Sequence, residues 1–337
     1  MCKKLKPALL ILYFIVIPGL SLSAQGLFNQ EKPLKVKFKA DFNVIFQNKT
    51  DSADYHPGSM KIRFPDETYE FSIELKTRGH YRRDHCSFPP LKVNFKKEHI
   101  KGTPFEGSDK IKMVTHCNTD DPEANQNVLT EYLIYKIYNI LTDTSFRVAL
   151  MKAVYKPASK NMNRIGQYAF FIEKTNMVED RHGLKEFEPE HTQAGRYNKD
   201  NFCLVSLFMF MIRNTDWNVL IPQNIKLLAA EKEDQFVIVP YDFDLSKWVN
   251  PHYAPYNKMD HMELTPMIKG YCNDYDDFSR AIWLFNKNRD EIVKLIDGFA
   301  YLKNKRKEIL LENMDDFYNI INNRALFEEN FNNYCED

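Results

Sequence analysis

Two apolar segments in the second half of the chain end on carboxylates. Residues 200–213 are almost continuously apolar and run into Asn214-Thr215-Asp216-Trp217-Asn218, and Phe236-Val237-Ile238-Val239-Pro240 runs into Tyr241-Asp242-Phe243-Asp244. Gln223-Asn224 opens the strand that lies between them in sequence. A charge held at the end of a buried element is costly unless it is compensated, and a bound divalent cation is one compensation. Phosphoryl transfer needs an Asp to orient the acceptor hydroxyl, an Asn further on for a metal, and an Asp at the end of a hairpin for the same or a second metal. Asp216, Asn224 and Asp242 supply those residue types in that order, with Asp244 as an assisting carboxylate. A plainer reading stands beside this one, in which Asp216 caps a turn, Asn224 sits in one, and Asp242 and Asp244 are loop carboxylates.

The elements that must position these residues differ between the two halves. Short alternating runs predict strands over 34–40, 43–47, 60–64, 68–77, 91–96 and 110–115, separated by turn residues such as Pro57-Gly58 and Pro65-Asp66. Within 68–77, Tyr69, Phe71, Ile73 and Leu75 fall on one face and Glu70, Ser72, Glu74 and Lys76 on the other, which implies a sheet with one buried face. The period then becomes helical over 124–141, where Val128, Leu129, Leu133, Ile134, Ile137, Ile140 and Leu141 form one stripe behind Asp120, Asp121 and Glu123. Two strands follow over 147–155 and 167–174. The second half reads as helix at 200–213, a hairpin of 225–229 with 235–239, and amphipathic helices at 276–287, 290–296 and 301–322.

Composition narrows the possibilities. Residues 1–24 carry Lys3, Lys4 and Lys6, then the ten-residue apolar run 8–17, then Pro18-Gly19 and the small residues before Gln25. That pattern predicts a cleavable secretory signal and a secreted, periplasmic or envelope location, with no transmembrane segment in the mature chain. The 46 basic residues balance 46 acidic ones, so the net charge gives no footprint for nucleic acid. Five cysteines follow the signal, none with CxxC spacing, so a structural zinc site is not expected. Cys86 and Cys117 sit at the ends of neighbouring strand candidates and are the expected disulfide pair. His80, His85, His116 and His191 lack metal-ligand spacing.

The order of motifs resembles CotH-type secreted kinases, and remotely HipA-type kinases. The resemblance rests on four segments between residues 73 and 246: Leu75-Lys76-Thr77-Arg78-Gly79-His80-Tyr81-Arg82-Arg83, Phe88-Pro89-Pro90-Leu91-Lys92-Val93-Asn94-Phe95, Gly166-Gln167-Tyr168-Ala169-Phe170-Phe171-Ile172-Glu173 and Pro240-Tyr241-Asp242-Phe243-Asp244. It implies a two-lobed α+β kinase-like fold, with a β-rich nucleotide-binding lobe over 25–174 and a mainly helical catalytic lobe over 175–337. It implies Asp216 as the catalytic residue, Asn224, Asp242 and Asp244 as ligands of Mg²⁺ or Mn²⁺, and Lys92, Arg78 and Glu173 on the ATP side. A Glu131–Lys92 ion pair is a further implication, as is phosphate contact by Arg82 and Arg83.

The chain departs from the pattern in three places. Pro89-Pro90 replaces the family's lysine pair, and no Gly-rich loop of the usual kinase kind is present, so Arg78-Gly79 would cover the phosphates. Asn224 follows Asp216 by eight residues, a longer spacing than kinase catalytic loops use, so either the extra residues bulge out or Asn218 is the ligand. The expected partners are a nucleotide and a hydroxyl-bearing acceptor, protein or small molecule. Competing expectations are a kinase-like scaffold that binds an envelope partner or glycan without turnover, and a structural envelope component.

Overall fold

The computed structural model describes residues 25–47, 50, 54–158, 163–188, 196–219, 221–230, 235–255 and 274–331. The expected signal, His191, Cys272 and Cys335 lie outside them. The fold is mixed α+β. Among the described residues no helix is long and apolar enough to cross a membrane.

Seven strands form a closed barrel: β1 (Leu34–Ala40), β2 (His56–Arg63), β3 (Thr68–Thr77), β4 (Leu91–Phe95), β5 (Lys110–Val114), β6 (Val148–Pro157) and β7 (Ile165–Ile172), in the order β1-β2-β3-β4-β5-β7-β6. Sequence periodicity gave the one buried face; closure comes from β1 pairing in parallel with β6, from Leu34 opposite Met151 to Ala40 opposite Pro157. Parallel neighbours need a long crossover, and the other five strands of the barrel separate the two on the way round. Closing the sheet removes its edges. Val36, Phe38, Ile62, Leu75, Val93, Ile111 and Phe171 point inward and fill the interior.

Residues 43–47 are a correction. They belong to a short helix, Phe42–Gln47, because Phe42 and Ile45 are spaced to bury together at the barrel end, where Phe42 packs on Phe88 and Tyr155. The Asp41 carbonyl accepts from Ile45 N–H at 3.2 Å and begins the turn.

The helix Ala124–Leu141 lies where periodicity places it, and its environment explains its composition. It packs against the outer faces of β6 and β7 and against the helix Ser279–Gly298, in one core with the helix Lys199–Met211. The hydrophobic core therefore does not divide at residue 174. The two helices expected at 276–287 and 290–296 are one continuous helix, Ser279–Gly298, since Asn288, Arg289 and Asp290 lie on its outer side without breaking its backbone. The expected hairpin forms as β9 (Ile225–Ala229) with β10 (Val237–Pro240), and β8 (Lys185–Phe187) extends it to a three-stranded sheet.

The expected disulfide joins Cys86 to Cys117. It ties the loop carrying Arg78, Gly79 and the short helix Tyr81–His85 to the end of β5. Cys203 is buried on the helix Lys199–Met211.

Candidate active site

Asp216 lies just beyond the buried helix Lys199–Met211. Its N–H donates to Asn214 Oδ1 at 3.1 Å, a local turn that fixes the carboxylate where the helix stops. The long spacing to Asn224 is resolved by the backbone. Asn218 and Gln223 exchange two hydrogen bonds, of 3.2 and 3.0 Å, and Asn218 Oδ1 accepts from Ile221 N–H at 3.0 Å. Gln223 thus comes back onto Asn218, whose side-chain oxygen is already engaged, and Asn224 returns to Asp216.

Asn224 Nδ2 donates to the Asp216 backbone carbonyl at 2.7 Å and to Asp216 Oδ2 at 2.8 Å. The other carboxylate oxygen, Oδ1, accepts from Gln223 Nε2 at 2.6 Å. Burial pushes the Asp216 carboxyl above its usual range, and the nearby Asp242 adds to this; the bonds from Asn224 and Gln223 act against it.

Asp242 follows β10 after the single residue Tyr241. Its N–H donates to Tyr135 Oη at 2.9 Å, and Tyr241 N–H donates to the Asn224 carbonyl at 2.9 Å, which couples the two segments. Asn224 and Asp242 both adopt left-handed backbone conformations, with φ of 52° and 64°. For a residue with a side chain that conformation is unfavourable, and it persists where surrounding contacts enforce it, often at functional sites.

Asp244 is buried beside a cation. Its Oδ2 accepts from Tyr253 Oη at 3.0 Å and lies 3.9 Å from Arg82 Nε. Burial, reinforced by Asp242, pushes its carboxyl up to about 7. Asp216, Asn224, Asp242 and Asp244 line one cleft of about 280 Å³, together with Arg78 and Gly79. Gly79 has φ of 77° with open space where a side chain would begin, so the loop can lie close over whatever fills the cleft.

The expected Glu131–Lys92 pair is a correction: Glu131 pairs with Arg82, Oε2 to Nη1 at 3.7 Å. Both groups are buried, and Arg82 Nη2 also donates to the Thr115 carbonyl at 2.5 Å. Burial raises the Glu131 carboxyl well above its usual range, and Arg82 pulls against that. Burial would lower the Arg82 pKa, but Tyr253, Asp244 and Glu131 together hold it up as a cation. Arg82 and Arg83 are thus interior residues, and of the three arginines Arg78 is the one less buried beside the cleft.

Lys92 and Glu173 line a neighbouring hollow of about 350 Å³ with Lys110, Lys112, Lys174 and Tyr241. Glu173 is the end of a structural bridge. Its Oε1 accepts from Arg181 Nη1 at 2.5 Å and its Oε2 from Arg147 N–H at 3.0 Å, so its carboxylate is occupied, and the residues that follow it, Lys174, Thr175 and Asn176, line the hollow. Lys76, Lys92 and Lys112 stand side by side across β3, β4 and β5. Lys112 is the residue that sequence reasoning missed. It lies over the Tyr241 ring at 5.1 Å, and burial followed by Arg78 depresses its ammonium to about 8, with Asp242 opposing. Only the outward alternation of Lys110 and Lys112 in β5 could have pointed to it, and many exposed strands share that pattern.

The arrangement is a row of cations meeting a set of hard oxygen donors across the dipeptide Tyr241-Asp242. Such a site can hold a polyanion and a divalent cation together. Among the described residues no group of three or more His, Cys, Asp or Glu side chains is arranged to hold a metal ion unaided. Comparison with known proteins finds no matching family model and no matching curated protein.

Proposed function

We propose that the chain is a secreted CotH-like kinase of two-lobed kinase-like fold that transfers a phosphoryl group from a metal-bound nucleotide, ATP in the first instance, to a hydroxyl of a protein or small molecule. The observation that carries this reading is the meeting of the cationic row, Lys92 and Lys112 with Arg78, and the oxygen donors Asp216, Asn224, Asp242 and Asp244. Polyphosphate charge needs the first and its metal needs the second. In this reading Lys112 joins Lys92 on the phosphates, and the backbone after Glu173 meets the base. Asp242 and Asn224 would hold the cation, with Asp244 assisting from beside Arg82. Asp216 orients the acceptor hydroxyl.

The donor set fits Mg²⁺ or Mn²⁺. Its ligands are oxygens, and a cation beside Asp242 would relieve the repulsion that adds to burial in raising Asp216 and Asp244. Mg²⁺ is commonly held by one or two carboxylates with substrate phosphates completing its shell, which suits a site that lacks a closed protein cage. Bound there, the ion would neutralise phosphate charge.

A second reading is a kinase-like scaffold that binds an envelope partner or glycan without turnover. It is favoured by the Asp216 carboxylate, whose two oxygens both already accept hydrogen bonds from Gln223 and Asn224. Calorimetric titration of Mg-ATP separates the two. The kinase reading expects saturable binding that requires Mg²⁺ or Mn²⁺ and is weakened at least tenfold by Lys112→Met, a loss of about 1.4 kcal/mol. Absence of binding to the unmodified protein favours the scaffold.

A further inference from the structure

The chain has no net charge, yet its charges are not evenly spread. Strand β1 reads Leu34-Lys35-Val36-Lys37-Phe38-Lys39-Ala40, with every second residue buried and every lysine exposed. Its register places Lys35 between Arg63 and Lys152, Lys37 between Lys61 and Val154, and Lys39 between Ser59 and Lys156. Opposed residues on neighbouring strands project from the same face. The outward positions of β2, β1 and β6 therefore carry seven Lys or Arg residues and no Asp or Glu. Lys61 pairs with Glu70 on β3, and Lys152 lies over Tyr168 and Tyr301 at the patch margin. Lys35, Lys37 and Lys39 make no ion pair among the described residues.

The side chains between these cations also inform. Apart from Val148 and Leu150, which the helix Ala124–Leu141 covers, the remaining outward residues are Pro57, Ser59 and Val154, so the exposed face between the cations offers no aromatic ring to stack on a base or a sugar and no large apolar group to insert. Two residues along a strand span about 6.6 Å, and neighbouring strands lie about 4.8 Å apart. The patch is consequently about 13 Å long and about 10 Å wide. It lies on the convex outside of a barrel, with no walls to hold a chain-like polymer. Lysine side chains are long and flexible, so cations on β2 and β6 can reach the plane defined by those on β1. Around the barrel, β1 stands three strands from β4 and three from β5, on the side opposite the candidate active site.

We infer that this β2-β1-β6 face docks electrostatically on an anionic lipid bilayer surface, with the cleft turned toward solvent. The inference does not rest on the kinase reading, because none of its residues lines the cleft. Each basic residue near an anionic membrane contributes roughly fivefold in affinity, and the attraction decays within a Debye length.

The test is sedimentation of the protein with vesicles of phosphatidylcholine containing about one-third phosphatidylglycerol, against vesicles of phosphatidylcholine alone. Expected are binding to the anionic vesicles only, loss of that binding near 0.5 M salt as the Debye length shrinks to a few ångström, and roughly hundredfold weaker binding for K35Q/K37Q/K39Q. The control K294Q/K305Q, exposed lysines of the helical half, should bind like the unmodified protein. An unchanged melting temperature would show that the triple variant is folded. Equal binding to both vesicles, unweakened binding by the triple variant, or retention by an acidic polysaccharide or duplex DNA without any vesicle binding would overturn the inference.

Discussion

Tyr135 Oη accepts the Asp242 backbone N–H at 2.9 Å, so the helix Ala124–Leu141 fixes the segment that follows β10. One turn earlier Glu131 meets Arg82, so a single helix face braces both the carboxylate segment and the loop that lines the cleft. Tyr135→Phe removes the acceptor and leaves that part-buried N–H without its partner, at a residue already in the left-handed region. Such a loss costs about 1–3 kcal/mol. Mg-ATP affinity is expected to fall about tenfold, with a small drop in melting temperature; calorimetry on both proteins checks it, and unchanged affinity would separate Tyr135 from the site.

Asp242 and Asp216 have separable roles under the kinase reading. Asp242→Ala is expected to abolish measurable Mg-nucleotide binding, since the phosphates lose the carboxylate that holds their counterion. Asp216→Asn should keep nucleotide affinity and lower turnover by about 10²–10⁴-fold if general-base catalysis is its contribution. Parallel calorimetry and phosphotransfer assays decide between this pattern and purely structural loop carboxylates, which would alter the melting temperature with no dependence on nucleotide.

The buried pair of Arg82 and Glu131 predicts a non-additive pair of substitutions. Arg82→Met leaves Glu131 and Asp244 without their cation and should destabilise by about 3–5 kcal/mol, while R82M/E131L should recover the part of that loss due to Glu131, because the apolar pair needs no compensation and only Asp244 still lacks its cation. Urea unfolding of the single and double variants measures the coupling. Additive losses would mean that the two side chains act independently despite their 3.7 Å approach.

His116 gives an acid-side prediction. It is buried, stacks near Phe88 at 4.5 Å, and its ring approaches Thr119 Oγ1 at 3.1 Å. Burial, with the Arg82 charge behind it, lowers its pKa to about 3. The unfolded chain takes up this proton near pH 6.5 and the folded chain does not until about pH 3, so this contribution to stability is complete above about 6.5 and falls with pH in between, by at most about 1.4 kcal/mol per unit. The difference in unfolding free energy between the wild type and His116→Gln should therefore shift against the wild type as pH falls from 7 to 4. A difference that stays flat across that range would refute the buried neutral histidine.

Much of the fold was legible because it is local. Alternation placed β1, β3, β4 and β5, and the apolar stripe placed the helix Ala124–Leu141 at its observed ends. Carboxylates at the ends of apolar runs marked Asp216, Asp242 and Asp244 before any coordinates, since burying a charge is expensive enough to need a reason. Tertiary structure alone decided the rest. Closure of the barrel through β1 and β6 depends on strands more than a hundred residues apart, which no local period encodes. The partner of Glu131 depended on which cation the disulfide-tied loop carries inward, and that is Arg82 rather than Lys92. Asn224 reaches Asp216 only because Gln223 comes back to pair with Asn218, and Lys112 joins the site only because β5 lies beside β4. Periodicity records which face of an element is buried; it carries no information on which other face it meets, and ion pairs and binding sites are made between elements.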